Sequence, residues 1–407
     1  MKCRHCGTPL EHTFVDLGFA PPSNAYLQAD DLCNPEMHYP LRVKVCHRCW
    51  LVQTEDYARA EELFSPDYAY FSSTSSSWLQ HAAEYVRMVT ERLQLGPENF
   101  VIEVASNDGY LLKNFVAERI PCLGIEPTAG TAAAAEALGI PVMREFFDEA
   151  LGRRLADDGR AADLIVGNNV YAHVPDINDF TRALAAALKP EGTVTLEFPH
   201  LVPLIEHTQF DTIYHEHFSY LSLTALADIF AAADLRVWDV EELPTHGGSL
   251  RVYGCHAAAA IATTNRVESL LTREHRFGVT KVETYTEFQK RADRVKDDLL
   301  AFLIEQKRTG RSVAAYGAAA KGNTVLNYAG VRPDLLPYVC DAAGSKQGKF
   351  MPGSHIPIYS PDALWENPPD YVVILPWNIA TEVRSQLAEL ALRGTRFVTA
   401  VPELSFL

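Results

Sequence analysis

Between Phe100 and Phe198 short apolar runs alternate with stretches in which apolar residues recur at helical spacing. Phe100 to Ala105 predicts a strand, Ser106 to Gly109 a turn, and Tyr110 to Glu118 a helix. Pro121 to Glu126 and Pro141 to Arg144 predict further strands around a helix from Ala132 to Leu138. Ala162 to Val166 is a fourth strand ending in Gly167 to Tyr171; a helix from Phe180 to Leu188, a turn over Lys189 to Gly192 and a fifth strand from Thr193 to Phe198 follow. This alternation predicts a doubly wound parallel α/β sheet. After a helix from Thr224 to Ala233, Leu235 to Glu241 and Ser249 to Cys255 predict an antiparallel pair closed through Pro244 to Gly248. Charged helix-forming sequence from Val267 to Lys307 leads to a second βα unit at Ser312 to Asn323. Pro337 to Asp341, Tyr371 to Leu375 and Arg396 to Ala400 then predict strands of a second parallel sheet.

The turn after the first of these strands is a cofactor crevice in outline. A dinucleotide would require G-x-G-x-x-G, so that backbone could approach a pyrophosphate, and Glu103-Val-Ala105-Ser-Asn107-Asp-Gly109 lacks it. S-adenosylmethionine (SAM) needs no phosphate cradle. Glu103 can face its ammonium and Glu126, at the end of the next strand, its ribose hydroxyls. The loop resembles the E/D-x-G-x-G-x-G loop of class I methyltransferases, with Ala105 and Asn107 in place of two glycines and Gly109 kept. An ordinary buried βα turn is the alternative.

Bulk composition narrows the class. The chain has 407 residues, too many for one core, so two or three domains are expected. No apolar run is long enough for a transmembrane helix, and Met1 to Cys6 lacks the apolar region of a signal peptide, which makes a cytoplasmic protein the expectation. A net charge of −16 disfavours nucleic acid as a partner. In a reducing compartment, Cys3-x-x-Cys6 and Cys46-x-x-Cys49 predict a closed structural zinc site in an N-terminal zinc-binding lobe, with redox dithiols the rival and His12 or His47 as substitute ligands. Metal is expected to hold this lobe together without direct bearing on the chemistry. Residues 67–77 form a polar, aromatic connector whose Tyr68 and Tyr70 are candidates to line a ligand cleft.

The densest chemistry lies between Asp211 and Tyr220. His217 can serve as a general base, its imidazole oriented by a carboxylate such as Glu216, with Tyr214 as donor or alternative base. A metal site built from His215, Glu216 and His217 is the second reading, although the i, i+4 spacing of H-E-x-x-H is missing. His173 lies at the same sheet edge, behind Asn168 and Asn169, which could reach the cofactor. In the second sheet, Tyr316, Lys321, Asn323 and the loop carrying Lys346 suit a phosphate-bearing ligand.

Taken together, the two C-x-x-C pairs, the Glu103 to Gly109 loop, Asn168 to His173, Tyr214 to Tyr220, His246 to Arg251 and Tyr316 to Gly322 resemble the zinc-containing sugar C-methyltransferases of deoxysugar antibiotic pathways. Within that family they are most similar to the C-3′-methylating type of D-tetronitrose biosynthesis. The resemblance spans essentially the whole chain. It implies three domains: a zinc lobe (1–70), a class I, Rossmann-like methyltransferase domain (71–265) and a Rossmann-like nucleotide-sugar domain (266–407). It also implies SAM as methyl donor and a dTDP-linked 3-amino-4-keto-2,3,6-trideoxy sugar as acceptor, with no membrane or protein partner. The catalytic set is then His217, Tyr214, Glu216 and His173, and Ser249 joins the substrate contacts. The competing readings are an NAD-dependent nucleotide-sugar oxidoreductase, an RNA methyltransferase with a zinc-ribbon reader, and a non-catalytic SAM or nucleotide sensor.

Overall fold

The computed structural model of the chain describes residues 1–55, 71–74 and 76–407; Tyr68 and Tyr70 lie outside the described residues. Three sheets organise the described residues. The middle one is built from β4 (Val101–Val104), β5 (Cys122–Ile125), β6 (Val142–Met143), β7 (Ala162–Asn168), β8 (Leu188–Pro199), β10 (Leu235–Leu243) and β11 (Ser249–His256). These seven strands lie in the order β10-β11-β8-β7-β4-β5-β6. The neighbours from β8 to β6 run parallel, and β11 returns antiparallel between β8 and β10. Chain order reverses at β4, which opens a crevice beyond its C-terminal end.

The predicted turn over Lys189 to Gly192 is instead an irregularity inside the long β8. Ala162 pairs with Leu188 but Leu164 with Thr193, so the intervening residues bulge out. A Cβ on Gly192 would lie 2.9 Å from the Ala162 carbonyl oxygen, so only glycine lets the two backbones approach this closely.

The C-terminal sheet is built from β12 (Val313–Tyr316), β13 (Val339–Cys340), β14 (Ile358–Tyr359), β15 (Tyr371–Ile374), β16 (Arg396–Thr399) and β17 (Ser405–Phe406), all parallel but the last. Its order is β14-β13-β12-β15-β16-β17. The third sheet is antiparallel: β1 (His12–Ala20), β2 (Tyr39–Val45), β3 (Val52–Thr54) and β9 (Ser219–Tyr220). β9 comes from the Asp211 to Tyr220 segment, so the N-terminal lobe is completed by the stretch carrying the candidate base. Among the described residues the lobe forms no separate core of its own. Phe14, Val43 and Val45 pack with Leu299 of the helix Phe288–Arg308 and with Ala315 and Val373 of the C-terminal sheet. Phe14 stacks on Phe288 at 4.3 Å. The cysteine end of the lobe packs against the other core, that of the middle sheet, through Leu10 and Leu51. Each such large apolar side chain contributes about 1.5–3 kcal/mol on burial, so the lobe depends on both neighbours.

Candidate active site

The crevice beyond β4 is shaped by backbone conformation. Ala105 (φ 55°), Asn107 (φ 49°) and Gly109 (φ 77°) are all left-handed, so the loop keeps a glycine-like path although two of its residues are not glycine. At Gly109 the glycine is required, because a Cβ would come within 2.4 Å of Ile140. Glu126 ties the crevice together by accepting the backbone N–H of Asn107 and of Thr128, each at 2.9 Å. The connector docks there too: Ser72 N–H donates to the Asn107 side chain at 2.9 Å and Ser73 N–H to Asp108 at 3.1 Å.

Within this crevice several buried polar atoms have no partner among the described residues: Glu103 Oε2, Ser106 Oγ, Asp108 Oδ1 and both side-chain polar atoms of Asn168. Burial lifts the Glu103 carboxyl well above the usual range, and the nearby Glu126 and Asp108 charges lift it further. A pyrophosphate would meet three carboxylates here, whereas a ligand carrying ammonium and sulfonium charges would relieve their repulsion. The donor set therefore fits SAM and disfavours a dinucleotide.

At the same edge of the sheet, the Asp211 to Tyr220 segment gathers the titratable groups. The buried His217 imidazole donates its Nδ1 proton to the Thr212 carbonyl at 2.8 Å. His173 likewise donates from Nδ1 to the Glu216 carbonyl at 2.8 Å, and the two rings lie 4.6 Å apart. A carbonyl can only accept, so in both rings Nε2 carries the lone pair. Burial holds both imidazoles neutral: His173 is pushed down to about 4 and His217 falls well below its ordinary value, with the Lys321 charge adding to the effect. Tyr214 lies over His217 with ring centroids 4.0 Å apart.

Two expectations change at this point. The carboxylate of Glu216 does not orient His217; the Thr212 carbonyl does. Glu216 instead accepts from Asn24 of the N-terminal lobe, at 3.1 and 3.3 Å, and burial pushes its carboxyl up to about 7 despite that contact. His173 commits its Nδ1 proton to the Glu216 carbonyl. The alternative metal site is not formed either, since His215 Nε2 points to the Tyr39 carbonyl at 3.3 Å and no cluster around it appears among the described residues.

The thiols of Cys3, Cys6, Cys46 and Cys49 converge with all sulfurs within 4.8 Å of one another. The Cys3–Cys49 and Cys6–Cys46 separations are both 3.5 Å, close to the spacing of about 3.8 Å set by four sulfurs about 2.3 Å from one zinc. Gln53 Nε2 donates to Cys3 Sγ at 3.3 Å, an outer contact that suits a thiolate. His12 and His47 are not substitute ligands; they group separately with Glu11.

Three family models match consecutive parts of the chain: a zinc binding domain over residues 3–64, a methyltransferase domain over 78–240 and a C-methyltransferase C-terminal domain over 244–402. The C-methyltransferase NovU of Streptomyces niveus is 35% identical over 402 residues, covering 99% of this chain and 96% of NovU. The chain belongs to this three-module C-methyltransferase family. The resemblance read from its motifs is borne out at that level, and with it SAM-dependent methyl transfer. Among solved structures, the magnesium protoporphyrin IX methyltransferase of Synechocystis PCC 6803 with bound SAH is similar at 12% identity and a TM-score of 0.36, covering 44% of this chain and 83% of that one. A SAM-dependent methyltransferase of Clostridium acetobutylicum is similar at 10% identity and a TM-score of 0.36, covering 44% and 92%.

The C-methyltransferase brings its third module against the His217 segment. Lys321, at the start of the helix Ala320–Tyr328, donates to Asn378 at 3.2 Å and lies over the Trp377 ring at 5.1 Å. Trp377 Nε1 donates to the buried Asp211 at 2.8 Å. Burial pushes Lys321 down and Asp211 up, and each charge partly restores the other. Among the described residues, other substrate candidates bond or pack elsewhere. Asn323 donates to the Ser23 carbonyl at 2.6 Å, Lys346 pairs with Asp341 at 3.3 Å, and Tyr316 packs into the apolar layer with Cys340 and Leu364. Ser249 Oγ donates to the Thr245 carbonyl at 2.9 Å and closes a turn.

Sequence reasoning missed the support behind this site. The buried Glu197, at the end of β8, accepts from His81 at 3.0 Å, Arg251 at 2.9 Å and Thr245 at 3.2 Å. Burial alone would raise its carboxyl, but His81 and Arg251 hold it below the ordinary range. The one available cue was the odd presence of an acid inside the apolar run Thr193 to Phe198. The N-terminal lobe was also misjudged. Thr54 Oγ1 donates to the His217 carbonyl at 3.0 Å, and Val52 pairs with Tyr220, so the thiol lobe braces the segment that carries His217.

Proposed function

We propose that this SAM-dependent C-methyltransferase acts on C3 of a dTDP-linked 4-keto deoxysugar, of the 3-amino-2,3,6-trideoxy type, in the cytoplasm, and that the four-cysteine cluster holds structural zinc. The acceptor class rests on the motif resemblance. The observation that carries the mechanism is the neutral His217, its Nδ1 proton committed to Thr212 and its lone pair on Nε2.

Carbon is methylated once it becomes nucleophilic, and a proton beside a ketone can leave because the electron pair spreads onto oxygen. His217 Nε2 takes the C3 proton, and the C–H electron pair becomes an enolate. Burial near Lys321 makes a lasting imidazolium unfavourable, so the proton is released to solvent after each turnover. When bound, SAM supplies the electrophilic methyl that the enolate carbon takes. Glu103, Ala105, Asn107, Gly109, Glu126, Asn168 and Asn169 hold it. Tyr214 donates toward the sugar, His173 accepts from a sugar hydroxyl, and the Asn24–Glu216 contact fixes the loop that carries both the base and its neighbour. Lys321, between the middle and C-terminal sheets, faces the diphosphate. Mass spectrometry on a panel of dTDP-4-keto sugars tests the reading. A single methyl gain on C3, with release of S-adenosylhomocysteine, is expected, and methylation confined to non-keto acceptors would refute it.

A further inference from the structure

We infer that His246 is a further catalytic residue of the acceptor site, an imidazole that presents its Nδ1–H to the ketone oxygen as the enolate forms. The inference rests on the keto acceptor proposed above.

His246 sits in the turn between β10 and β11, at the edge of the sheet that carries Asn169 and Glu197. It is a non-glycine residue in the left-handed region (φ 55°, ψ 18°), and the two glycines that follow it are closely packed. A Cβ on Gly247 would meet Trp377 at 2.6 Å, and one on Gly248 would meet Pro203 at 2.8 Å. Gly247 also accepts from Gln209 Nε2 at 2.8 Å, and His200 N–H donates to the Gly248 carbonyl at 3.0 Å. A strained backbone held from several sides is a recurrent mark of a group whose direction matters.

The ring is fixed as well. It lies 5.5 Å from Trp78, and the Asn169 amide Nδ2 donates to its Nε2 at 3.3 Å. An imidazole that accepts at Nε2 while neutral carries its proton at Nδ1. Among the described residues none takes a hydrogen bond from that Nδ1. The charged groups facing the ring are Lys321, Glu197 and His81, and burial with the Lys321 charge holds it down to about 4, so it is neutral at working pH.

The three imidazoles therefore divide the work. His173 and His217 each commit the Nδ1 proton to a carbonyl and face the site as acceptors, whereas His246 keeps a proton to give. Enolisation needs both kinds of group: a base for the carbon-bound proton and a donor for the oxygen on which negative charge grows. A neutral imidazole can donate without first being charged. His246 also touches Asn169 of the cofactor set, which places it where the methyl donor and the acceptor meet.

The test uses the full-length zinc-loaded enzyme, a dTDP-4-keto sugar and S-adenosylhomocysteine in D2O, following exchange of the C3 proton by NMR, with methyl transfer from SAM measured in parallel. His246→Gly suits the left-handed backbone and removes the donor, and His246→Asn tolerates that backbone and restores an N–H. His246→Gly is expected to slow exchange and methyl transfer together by about 10²-fold, with KM and SAM affinity within about two-fold, and His246→Asn to recover part of the loss. Exchange at the wild-type rate in His246→Gly would overturn the inference. So would a SAM affinity that falls in step with turnover, which would make the residue a support for Asn169. If the wild-type enzyme neither exchanges nor methylates a ketosugar, the keto reading falls and takes this inference with it; wild-type exchange matched by His246→Gly removes the inference alone.

Discussion

The cofactor crevice and the acceptor site share one sheet edge but are built in different ways. The backbone of the crevice comes mainly from one stretch of chain, Glu103 to Thr128, folded on itself by left-handed residues and by Glu126 accepting two nearby N–H groups, with Asn168 and the Ser72–Ser73 connector joining it. The proposed acceptor site draws on all three modules: His217 and His173 from the middle, Asn24 and Thr54 from the thiol lobe, and Lys321 from the C-terminal module. A local site tolerates loss of distant structure, whereas an assembled one transmits it.

Metal removal tests that difference most severely. Structural zinc contributes apparent binding energy of about 10 kcal/mol or more, which a lobe without its own core cannot replace. Chelation is expected to abolish methyl transfer by loosening β3 and β9, while calorimetry still detects S-adenosylhomocysteine in the crevice. Retained turnover after metal loss would mean that the acceptor site is as local as the cofactor site. His217→Asn is next, with a fall in kcat of about 10²- to 10⁴-fold and SAM affinity unchanged. Full turnover by that variant at neutral pH would transfer the base role to Tyr214. Lys321→Ala should weaken nucleotide-sugar binding by about 10- to 100-fold in titration calorimetry, again sparing SAM. An unchanged Kd would remove the diphosphate from this cleft.

Smaller effects sharpen the comparison further. Burial raises the Glu216 carboxyl from its ordinary 4.5 to about 7, so the folded protein holds this proton more tightly than the unfolded chain. The resulting stability is fully present below pH 4.5 and is lost as pH climbs through 7. Above that, the buried charge costs on the order of 3 kcal/mol. Glu216→Gln should therefore raise the melting temperature at pH 8 and leave it nearly unchanged at pH 4. An equal shift at both would show that Glu216 is not strained by burial. Ala105→Gly relieves a left-handed alanine and should stabilise the protein by up to about 1 kcal/mol in urea unfolding. A loss of stability there would mean that the crevice loop depends on more than its backbone path.

Reading from sequence to structure succeeded where the physics was local. Turn residues after an apolar run locate the crevice, and paired thiols at C-x-x-C spacing locate the metal cluster, because both depend on neighbours within a few residues. It failed for Glu216, whose carboxylate goes to Asn24 and not to the His217 ring, and it did not foresee that Ser249 and Asn323 donate to the Thr245 and Ser23 carbonyls. His246 was visible as part of a motif, but nothing in the string of letters assigns its proton.

By itself, then, the sequence determined the three-module order, the α/β alternation, the thiol cluster and the acidic, phosphate-averse cofactor turn, since periodicity and short-range side-chain chemistry decide all of these. Only the tertiary structure decided that His173 and His217 each give the Nδ1 proton to a carbonyl, that a thiol-bearing lobe braces the His217 segment, and that Lys321 packs beside Trp377 and Asn378. Tautomers and buried charges depend on the carbonyl, amide or ion that a distant segment brings to within about 3 Å, and chain order does not encode that distance.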